Sequence, residues 1–374
     1  MHIVDLAIAL SFWFLGFLFL FNISFCASAA YKKKHRPSLS IIIPAKNEEY
    51  SLPILLASLE SQHLENTEIT VVVDESDEPT LQAARTRGVK AIPAPPMPEG
   101  WLGKPWACYQ GALEAVGDVL LFLDADTRVE ENGLRKIADT CVDAGGAISV
   151  QPYHRTERLY EEFSSFFNII GMAGMGTFTV LGNRVRPVGL FGPCVAVKRD
   201  LYFDVGGHAA VKGKVVEDLA LGEVLKKQNH TINCFGGKGT ISYRMYPGGL
   251  RQLIDGWSKG FATGAVKTYL PILVATILWI GGGISATRYL IEALSQGETL
   301  PIMIWGATYL AYCTQVYWML FRIGSFKLYT ALFYPISLVF FILVFLYSVF
   351  LIFIRRSVRW KGVKVDLRSR GQQG

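Results

Sequence analysis

Charged residues are scarce in this chain of 374 residues: they make up 18% of the sequence, whereas hydrophobic residues make up 51%. An apolar excess of this size is more than a water-soluble core needs. The composition therefore excludes a purely soluble protein and implies a lipid-facing part. The length is sufficient for one domain of ordinary size plus several membrane helices.

Cysteine pairs are also missing. The six cysteines show neither a CxxC pair nor the tight spacing of a disulfide-rich secreted module, so a disulfide framework is not expected. Cys26 and Cys313 lie in apolar segments and are expected to pack as small hydrophobic residues. For the other four cysteines, a reducing compartment is the simplest interpretation.

The charge pattern does not indicate nucleic-acid binding, although the formal net charge is +6. The basic residues are concentrated in residues 32–36 and 355–370, and both clusters adjoin apolar segments. Lysine and arginine accumulate on the cytoplasmic flanks of membrane helices and attract anionic lipid headgroups. The sequence therefore predicts a lipid bilayer as partner and no nucleic acid.

Apolar segments near both ends indicate a multi-pass protein of the cell membrane. Residues 3–30 contain one charge, Asp5, and exceed the roughly 20 residues that cross a bilayer. No basic segment precedes this run, so a cleaved signal peptide is disfavoured and a transmembrane helix is predicted over residues 1–31. Residues 268–354 are predicted to contain further transmembrane segments, at 269–290, 300–321 and 328–354, before a basic tail at 355–374.

The basic cluster at residues 32–36 predicts that the domain after the first helix lies on the cytoplasmic side. If all three later segments cross the membrane, the basic tail ends outside, against the same rule. The number of spanning helices and the side of the C-terminus therefore stay open.

Residues 38–260 read as an α/β domain. Short β-branched runs at 40–43, 69–73 and 119–123 predict strands, and amphipathic stretches at 52–61 and 81–87 predict helices. Such alternation favours a Rossmann-like, mainly parallel sheet with helices on both faces. Within it, the aromatic stretch 160–181 predicts either a helix at the membrane surface or a plain core helix.

Polar residues follow the predicted strands, where parallel sheets bind ligands. Pro44, Asn47 and Glu48 end the first strand, and Asp74 ends the second, in a position to bind a base or a ribose. A turn or a helix cap is the alternative for each of them.

Two carboxylates, Asp124 and Asp126, follow the third strand. Their mutual repulsion favours a cation between them, and hard oxygen ligands suit Mg²⁺ or Mn²⁺ shared with a diphosphate. Lys104, in a turn between Gly103 and Pro105, is a candidate contact for a phosphate or an acceptor, or a surface lysine.

Glu217 and Asp218 begin an apolar helical pattern, either as a general base or as favourable charges at a helix N-terminus. Before the second apolar segment, Arg251, Gln252 and Trp257 are candidates to hold a leaving diphosphate; alternatively they form an interfacial belt.

The order of the motifs IIIPAKNE, VVVDES, GKPWACYQG, FLDADT, FGPCVAV with GGH, VVEDLALG and RQLIDGW resembles the family 2 glycosyltransferases over residues 38–259. The segment SVQPYHRTERLYEEFSSFFN at 149–168 and the flanking apolar helices are similar to the membrane-bound branch of that family that acts on C30 carotenoid acids. The resemblance implies a GT-A fold, an inverting single displacement and a UDP-sugar donor, with UDP-glucose expected.

The resemblance also implies roles for individual residues. Pro44, Asn47 and Glu48 would line the nucleotide site, Asp74 would bind uridine, and Asp124 and Asp126 would hold the ribose and the metal. Asp218 would be the base with Glu217 beside it, Lys104 would face the diphosphate or acceptor, and His208, Arg251, Gln252 and Trp257 would lie in the leaving-group or acceptor region. Two departures are visible, since QxxRW is not present as such and VVVDES replaces the commoner DDGS.

The expected acceptor is lipophilic, such as the carboxylate of the C30 acid 4,4'-diaponeurosporenoate, which gives a glycosyl ester. A carboxylic acid with a pKa of about 4.3 arrives ionised, so no proton has to be removed. Two alternatives remain at this point: transfer to a membrane-lipid hydroxyl, where a base would contribute roughly 10² to 10⁴ in rate, and a non-catalytic membrane scaffold.

Overall fold

The structure is a computed structural model that describes residues 3–28, 37–62, 65–214, 216–258, 261–354, 357–360 and 363–366. The predicted basic cluster at 32–36 and most of the basic tail lie outside the described residues. The chain forms two compact units. The sheet unit comprises residues 24–154 and 186–244, and the apolar unit comprises the described parts of residues 1–23, 155–185 and 245–374.

The strands are, in chain order, β1 (Leu39–Ala45), β2 (Thr67–Val73), β3 (Lys90–Pro93), β4 (Val119–Leu123), β5 (Thr127–Val129), β6 (Ala147–Gln151), β7 (Tyr153–His154), β8 (Cys194–Lys198), β9 (Ile232–Gly236), β10 (Ile241–Tyr243), β11 (Ser357–Trp360) and β12 (Val363–Asp366). The α-helices are α1 (Ile3–Gly16), α2 (Leu52–Glu60), α3 (Glu78–Arg85), α4 (Gly103–Glu114), α5 (Gly133–Ala144), α6 (Ser165–Gly174), α7 (Arg199–Asp204), α8 (Glu217–Lys227), α9 (Leu250–Ser258), α10 (Phe261–Lys267), α11 (Leu270–Gln296), α12 (Thr299–Ile323), α13 (Leu328–Leu332) and α14 (Tyr334–Val349). Short 3₁₀ helices lie at Leu159–Ser164, Gly182–Arg184 and Gly207–Val211, and a π-helical turn at Phe350–Ile354.

A seven-stranded sheet in the order β3-β2-β1-β4-β8-β6-β9 forms the centre of the sheet unit. Strands β3, β2, β1 and β4 run parallel, β8 is antiparallel to both of its neighbours, and β9 is parallel to β6. The three strands predicted at 40–43, 69–73 and 119–123 are confirmed as β1, β2 and β4. The predicted mainly parallel α/β sheet is therefore confirmed.

Both faces of the sheet are buried, as the β-branched runs require. Side chains alternate along a strand, so Ile41 and Ile43 of β1 pack in one core and Ile42 packs in the other. The first core includes Leu52 of α2, and the second includes Cys108 of α4. Strands buried on both faces have no polar side to present to water, which explains their continuous apolar runs.

The reversed strand β8 brings a second segment to the carboxyl edge of the sheet. Cys194 at the beginning of β8 pairs with Leu123 at the end of β4. The backbone N–H of Asp124 accordingly donates to the carbonyl oxygen of Pro193 at 3.0 Å. Residues 192–193 therefore lie beside the end of β4, although 70 residues of chain separate the two.

In the apolar unit, two helices of the described residues are long and apolar enough to cross a membrane, Leu270–Gln296 and Tyr334–Ile352. The first helix overlaps the predicted segment at 269–290 and extends beyond it to Gln296, and the second falls within the predicted segment at 328–354. Helix α12, which corresponds to the predicted segment at 300–321, is not one of the two. It buries the polar Gln315, whose side-chain oxygen accepts a hydrogen bond of 2.7 Å from Nε1 of Trp279 in α11.

The continuous helix predicted over residues 3–30 is wrong for residues 17–28, and residues 29–30 lie outside the described residues. Helix α1 has 14 residues, a length of about 21 Å, which is less than the roughly 30 Å of a hydrocarbon core. After Gly16 the backbone pairs with another segment instead of continuing the helix. Val180 donates to the carbonyl of Leu18 and Asn22 donates to that of Phe178, both at 3.0 Å.

The aromatic stretch predicted at 160–181 forms the 3₁₀ helix Leu159–Ser164 and α6. Phe166, Phe167 and Ile169 are buried inside the apolar unit, as in a core helix. The ring of Phe167 stacks on that of Trp257 in α9, with the centroids 4.8 Å apart.

Candidate active site

Lys104 lies at the centre of a cluster of three carboxylates in the sheet unit. Its Nζ is 2.8 Å from Oδ1 of Asp124, 3.4 Å from Oε1 of Glu217 and 3.4 Å from Oδ2 of Asp218. All four side chains are largely buried, with 10% to 28% of each exposed. Lys104 is therefore not a surface lysine, and its ammonium group forms one ionic network with the three carboxylates in a cleft.

Three elements deliver these side chains. Lys104 is in the first turn of α4, Asp124 directly follows β4, and Glu217 and Asp218 begin α8. The ion pairs of Lys104 therefore bring the N-termini of α4 and α8 close to the carboxyl end of β4. Negative charge is favoured near such termini, so part of the repulsion among the carboxylates is offset by the helix dipoles.

The electrostatics of the cluster follow from burial and mutual contact. Burial acts to lower the pKa of the Lys104 ammonium, but the attraction of Asp124, Asp218 and Glu217 outweighs it and holds this pKa well above its usual range. The pKa of Glu217 is raised to about 6, mainly by burial and to a lesser extent by the charge of Asp218. Burial likewise raises the pKa of Asp218, although Lys104 opposes the shift. The site therefore combines a fixed positive charge with carboxylates that are more basic than usual.

Glycines allow α8 to approach the cleft. A Cβ atom on Gly192 would lie 2.0 Å from Oδ2 of Asp218 and 3.2 Å from Nζ of Lys104, so a side chain there would collide with the cluster. A Cβ on Gly222 of α8 would lie 2.7 Å from the Cα of Gly189. The segment 189–192 and α8 thus pack backbone against backbone, which sets the position of Asp218.

His208 borders the same cleft and is held by Tyr202. Nδ1 of His208 is 2.8 Å from the Tyr202 hydroxyl oxygen, which also accepts a hydrogen bond of 3.1 Å from the backbone N–H of His208. Burial lowers the pKa of His208 to about 4, so the imidazole is neutral near pH 7. The 3₁₀ helix Gly207–Val211 carries this side chain.

A pocket opens between these groups. The residues that line it are Pro44, Lys104, Cys108, Phe122, Leu123, Asp124, Gly192, Val195, His208, Asp218 and Leu221. The cleft thus brings together five of the residues predicted from sequence: Pro44, Lys104, Asp124, His208 and Asp218.

The remaining predicted donor residues lie at the carboxyl ends of β1 and β2. Asp74 follows β2, and its carboxylate accepts hydrogen bonds from Nζ of Lys46 at 2.8 Å and from Oγ of Ser76 at 2.6 Å. Both hydrogen bonds lower the pKa of Asp74, and the one from Lys46 has the larger effect. Because β1 lies between β2 and β4, Asp74 is about 10 Å from Asp124 along the sheet edge.

Asn47 and Glu48 form the loop after β1. Asn47 has a left-handed backbone, with φ of 55°, and its N–H donates to Oδ2 of Asp77 at 2.5 Å. The backbone N–H of Glu48 donates to Oγ1 of Thr80 at 2.9 Å. Asp77 also caps α3 through Thr80. These contacts connect the loop after β1 to α3, next to Asp74.

Asp126 is exposed, three residues beyond the end of β4. Among the described residues, no group of three or more His, Cys, Asp or Glu side chains is arranged to hold a metal ion. Mg²⁺ is commonly held by one or two carboxylates, with substrate phosphates and water completing its oxygen ligands. The carboxylates of Asp124 and of the exposed residue Asp126 are oxygen ligands of the kind in that donor set.

Arg251, Gln252 and Trp257 lie on α9 in the apolar unit. Arg251 and Gln252 are exposed, and Oε1 of Gln252 accepts a hydrogen bond of 2.7 Å from the N–H of Gly248. Nε1 of Trp257 donates to Oγ of Ser164 at 3.1 Å. Trp257 therefore has a packing role inside that unit, besides the role predicted from sequence.

Sequence reasoning did not single out Gly192, Cys108 or Tyr202. A signal existed for Cys108, which lies four residues after Lys104 and so on the same face of α4. Gly192 begins the GPC triplet before a strand. Glycine is required there because a side chain would collide with Asp218, 26 residues later, and no local sequence pattern predicts that contact.

The chain is similar in sequence to named glycosyltransferases. Residues 40–202 match the family described as Glycosyl transferase family 2. The chain is 31% identical over 351 residues to the 4,4'-diaponeurosporenoate glycosyltransferase of Staphylococcus aureus strain USA300, which covers 90% of this chain and 93% of the relative. The protein of that name from strain MRSA252 is 31% identical over 356 residues.

A solved structure supports the fold. The mannosyltransferase PcManGT from Pyrobaculum calidifontis, in complex with GDP-Man and Mn²⁺, matches with a TM-score of 0.52, covering 92% of this chain and 99% of that chain. At 16% sequence identity the likeness concerns the fold alone. Fold and relatives together define an enzyme of GT-A-like architecture that transfers glycosyl groups. The chain belongs to glycosyl transferase family 2, as the order of its motifs predicts.

Proposed function

We propose that this enzyme transfers glucose from UDP-glucose, with inversion, to a lipophilic acceptor at the membrane. The proposed acceptor is the carboxylate of a C30 carotenoid acid such as 4,4'-diaponeurosporenoate, and the product is a glycosyl ester. The observation that carries the proposal is the convergence of Lys104 with Asp124 and Asp218 in one cleft at the carboxyl edge of the sheet. The name of the Staphylococcus aureus relative supports the choice of acceptor.

The donor is proposed to lie along the sheet edge from Asp74 to Asp124. Asp74 would bind uridine beside Pro44, Asn47 and Glu48, and Asp124 would bind the ribose. The separation of about 10 Å suits a nucleoside whose diphosphate continues toward Lys104. A buried ammonium at that place stabilises the negative charge that develops on the departing diphosphate.

Asp126 is proposed to hold Mg²⁺ or Mn²⁺ through its carboxylate. The ion, when bound, neutralises charge on the diphosphate. The chain's own contribution is to place Asp126 in the exposed turn three residues after the buried strand β4.

The raised pKa values of Glu217 and Asp218 favour a second candidate acceptor, a membrane-lipid hydroxyl. A carboxylate with increased basicity at the mouth of the cleft is suited to remove the proton of a hydroxyl nucleophile. With an ionised carboxylic acid as acceptor, Asp218 would instead act by position and charge. The two candidates therefore predict different effects of neutralising Asp218.

The enzyme is proposed to be a multi-pass protein of the cell membrane with its sheet unit on the cytoplasmic side, where nucleotide sugars are available. Helices α11 and α14 have the length and composition to cross a bilayer. An anchor in the same chain holds the enzyme where a lipophilic acceptor dissolves.

The decisive experiment measures UDP release from UDP-glucose by the purified full-length protein in lipid nanodiscs. We expect turnover with Mn²⁺ or Mg²⁺, loss of turnover with EDTA, and loss in the Asp126→Ala variant. The matched control is Asp118→Ala, which removes an aspartate at the opposite end of β4. Equal loss in both variants, or turnover that is indifferent to EDTA, would contradict the proposed role of Asp126.

The acceptor is tested with Asp218→Asn and Asp126→Asn. For a carboxylate acceptor, Asp218→Asn lowers the transfer rate less than Asp126→Asn does, because no proton has to be removed. Near-total loss in Asp218→Asn with a partial effect in Asp126→Asn would establish a hydroxyl acceptor instead.

A further inference from the structure

The tautomer of His208 follows from its contacts with Tyr202. The Tyr202 hydroxyl oxygen accepts a hydrogen bond from the backbone N–H of His208, and in the described part of the chain its remaining partner is Nδ1 of His208. Tyr202 is 1% exposed, so its hydroxyl hydrogen needs a protein acceptor. Only Nδ1 can provide one, and therefore Nδ1 is unprotonated and Nε2 carries the hydrogen.

The Nε2–H group is available to the cleft. His208 is 2% exposed and lines the pocket together with Lys104, Asp124 and Asp218. Across the residues that the structure describes, Nδ1 of His208 accepts a hydrogen bond from the Tyr202 hydroxyl, its backbone N–H donates one to the same oxygen, and Nε2 has no hydrogen-bond partner. The edge of its ring packs against Phe122, with centroids 5.0 Å apart, which restricts rotation of the imidazole.

The donor is also electrically neutral. Burial lowers the pKa of His208 to about 4, with an opposing contribution from Glu217 and a further lowering by Lys104. A neutral N–H can bind an anionic oxygen without withdrawing as much charge from it as an ammonium would. It therefore suits a carboxylate oxygen that does not itself attack but shares its negative charge with the attacking oxygen of the same group.

We propose that His208 is an acceptor-binding residue that selects a carboxylate over a hydroxyl by donating Nε2–H to the carboxylate oxygen that does not attack. The inference rests on the proposed function, in which the acceptor enters this cleft. One carboxylate oxygen forms a bond to C1 of glucose, the bond from C1 to the diphosphate oxygen breaks, and its electron pair leaves with UDP. No proton is transferred, and the second oxygen is left to accept the hydrogen bond.

A hydroxyl acceptor has no second oxygen. Its single oxygen would have to attack C1, release its proton to a base and accept the hydrogen bond of His208 at the same time. That hydrogen bond would reduce its nucleophilicity. Tyr202 acts as a positioning residue, because its hydroxyl fixes the tautomer that presents Nε2–H.

The test compares two polyene probes that differ in the reacting group, all-trans-retinoic acid and all-trans-retinol. Full-length enzyme in nanodiscs is assayed with UDP-glucose, and the KM for each probe and for UDP-glucose is measured in the wild type and in His208→Phe, His208→Gln and Tyr202→Phe. Because a hydrogen bond to a charged group is removed, we expect His208→Phe to raise the KM for retinoic acid about 10-fold to 100-fold.

In His208→Phe the KM for UDP-glucose should rise much less than the KM for retinoic acid, and the preference for retinoic acid over retinol should fall. His208→Gln, whose amide keeps an N–H donor, should recover part of the affinity for retinoic acid. Tyr202→Phe should raise the KM for retinoic acid in the same direction, while the thermal midpoint reports any loss of folding.

Two failures are distinguishable. The first failure requires that the wild type uses retinoic acid. If both His208→Phe and Tyr202→Phe then leave the KM for retinoic acid unchanged, or raise the KM values of both probes equally, the role of His208 is overturned and the proposed function stands. If the wild type glucosylates retinol and not retinoic acid, the proposed carboxylate acceptor itself is overturned. A defect of His208→Phe in the KM for UDP-glucose alone would assign His208 to the donor.

Discussion

Gly192 and Asp218 approach so closely that a Cβ atom on Gly192 would lie 2.0 Å from Oδ2 of Asp218. The two residues come from different elements: Gly192 precedes the reversed strand β8, and Asp218 begins α8. The absence of a side chain at residue 192 is therefore a condition for the position of the Asp218 carboxylate in the cleft.

Gly192→Ala should lower the transfer rate by about 10-fold to 100-fold, because a displacement of about 1 Å at a reacting group has effects of this size. The measurement is kcat with UDP-glucose and the acceptor in nanodiscs. Gly281→Ala, in α11 where a Cβ meets no atom within 4 Å, is the matched control and should keep wild-type kcat. Unchanged kcat in Gly192→Ala would mean that the position of Asp218 does not limit the reaction.

Lys104→Met should lower the free energy of unfolding by about 3 kcal/mol or more, because it leaves buried carboxylates without their cation. The loss should be smaller in acid, where Glu217 and Asp218 take up protons. The thermal midpoint of the purified protein, measured from pH 5 to pH 8, reports both effects.

Lys90→Met provides the control for Lys104→Met. The Lys90 and Glu114 side chains form a 2.9 Å ion pair but are about half exposed, so this pair is screened by water and its loss should be within about 1 kcal/mol. Equal destabilisation by both variants would show that the buried network is no stronger than a surface pair.

Glu217→Gln should become more stable relative to the wild type as the pH rises from about 4.5 to about 7. The pKa of Glu217 is raised to about 6 in the folded protein from 4.5, so the folded state holds an extra proton between these values. The stability from this group is present below pH 4.5 and is lost as the pH rises through 6. Glutamine cannot ionise and avoids that loss. A difference in thermal midpoint that does not vary with pH would contradict the raised pKa.

Asp74→Asn should raise the KM for UDP-glucose about 10-fold or more and change kcat little, because it removes a charged acceptor from the proposed uridine site. Asp118→Asn is the control: Asp118 lies at the amino end of β4, where it accepts hydrogen bonds from Ser38. An equal rise in KM in both variants would remove Asp74 from the nucleotide site.

Several features could be read from short stretches of sequence. The strands β1, β2 and β4 are runs of β-branched and aliphatic residues, and such runs predict buried strands because neighbouring side chains alternate between two apolar faces. The polar residues after them, Asp74 and Asp124, then had to lie at one edge of a parallel sheet. Local pattern failed for α1, because residues 17–22 are as apolar as a helix interior but form backbone hydrogen bonds to residues 178 and 180.

Neighbouring residues along the chain are sufficient to show which segments are apolar, which strands are buried and which acidic residues follow them. In contrast, the contact of Lys104 with Asp218, 114 residues away, and the tautomer of His208 that Tyr202 fixes depend on the folded chain. Distances between remote residues depend on how whole elements pack, and here they depend on a reversed strand and on glycine contacts at residues 189, 192 and 222. No local pattern contains that information.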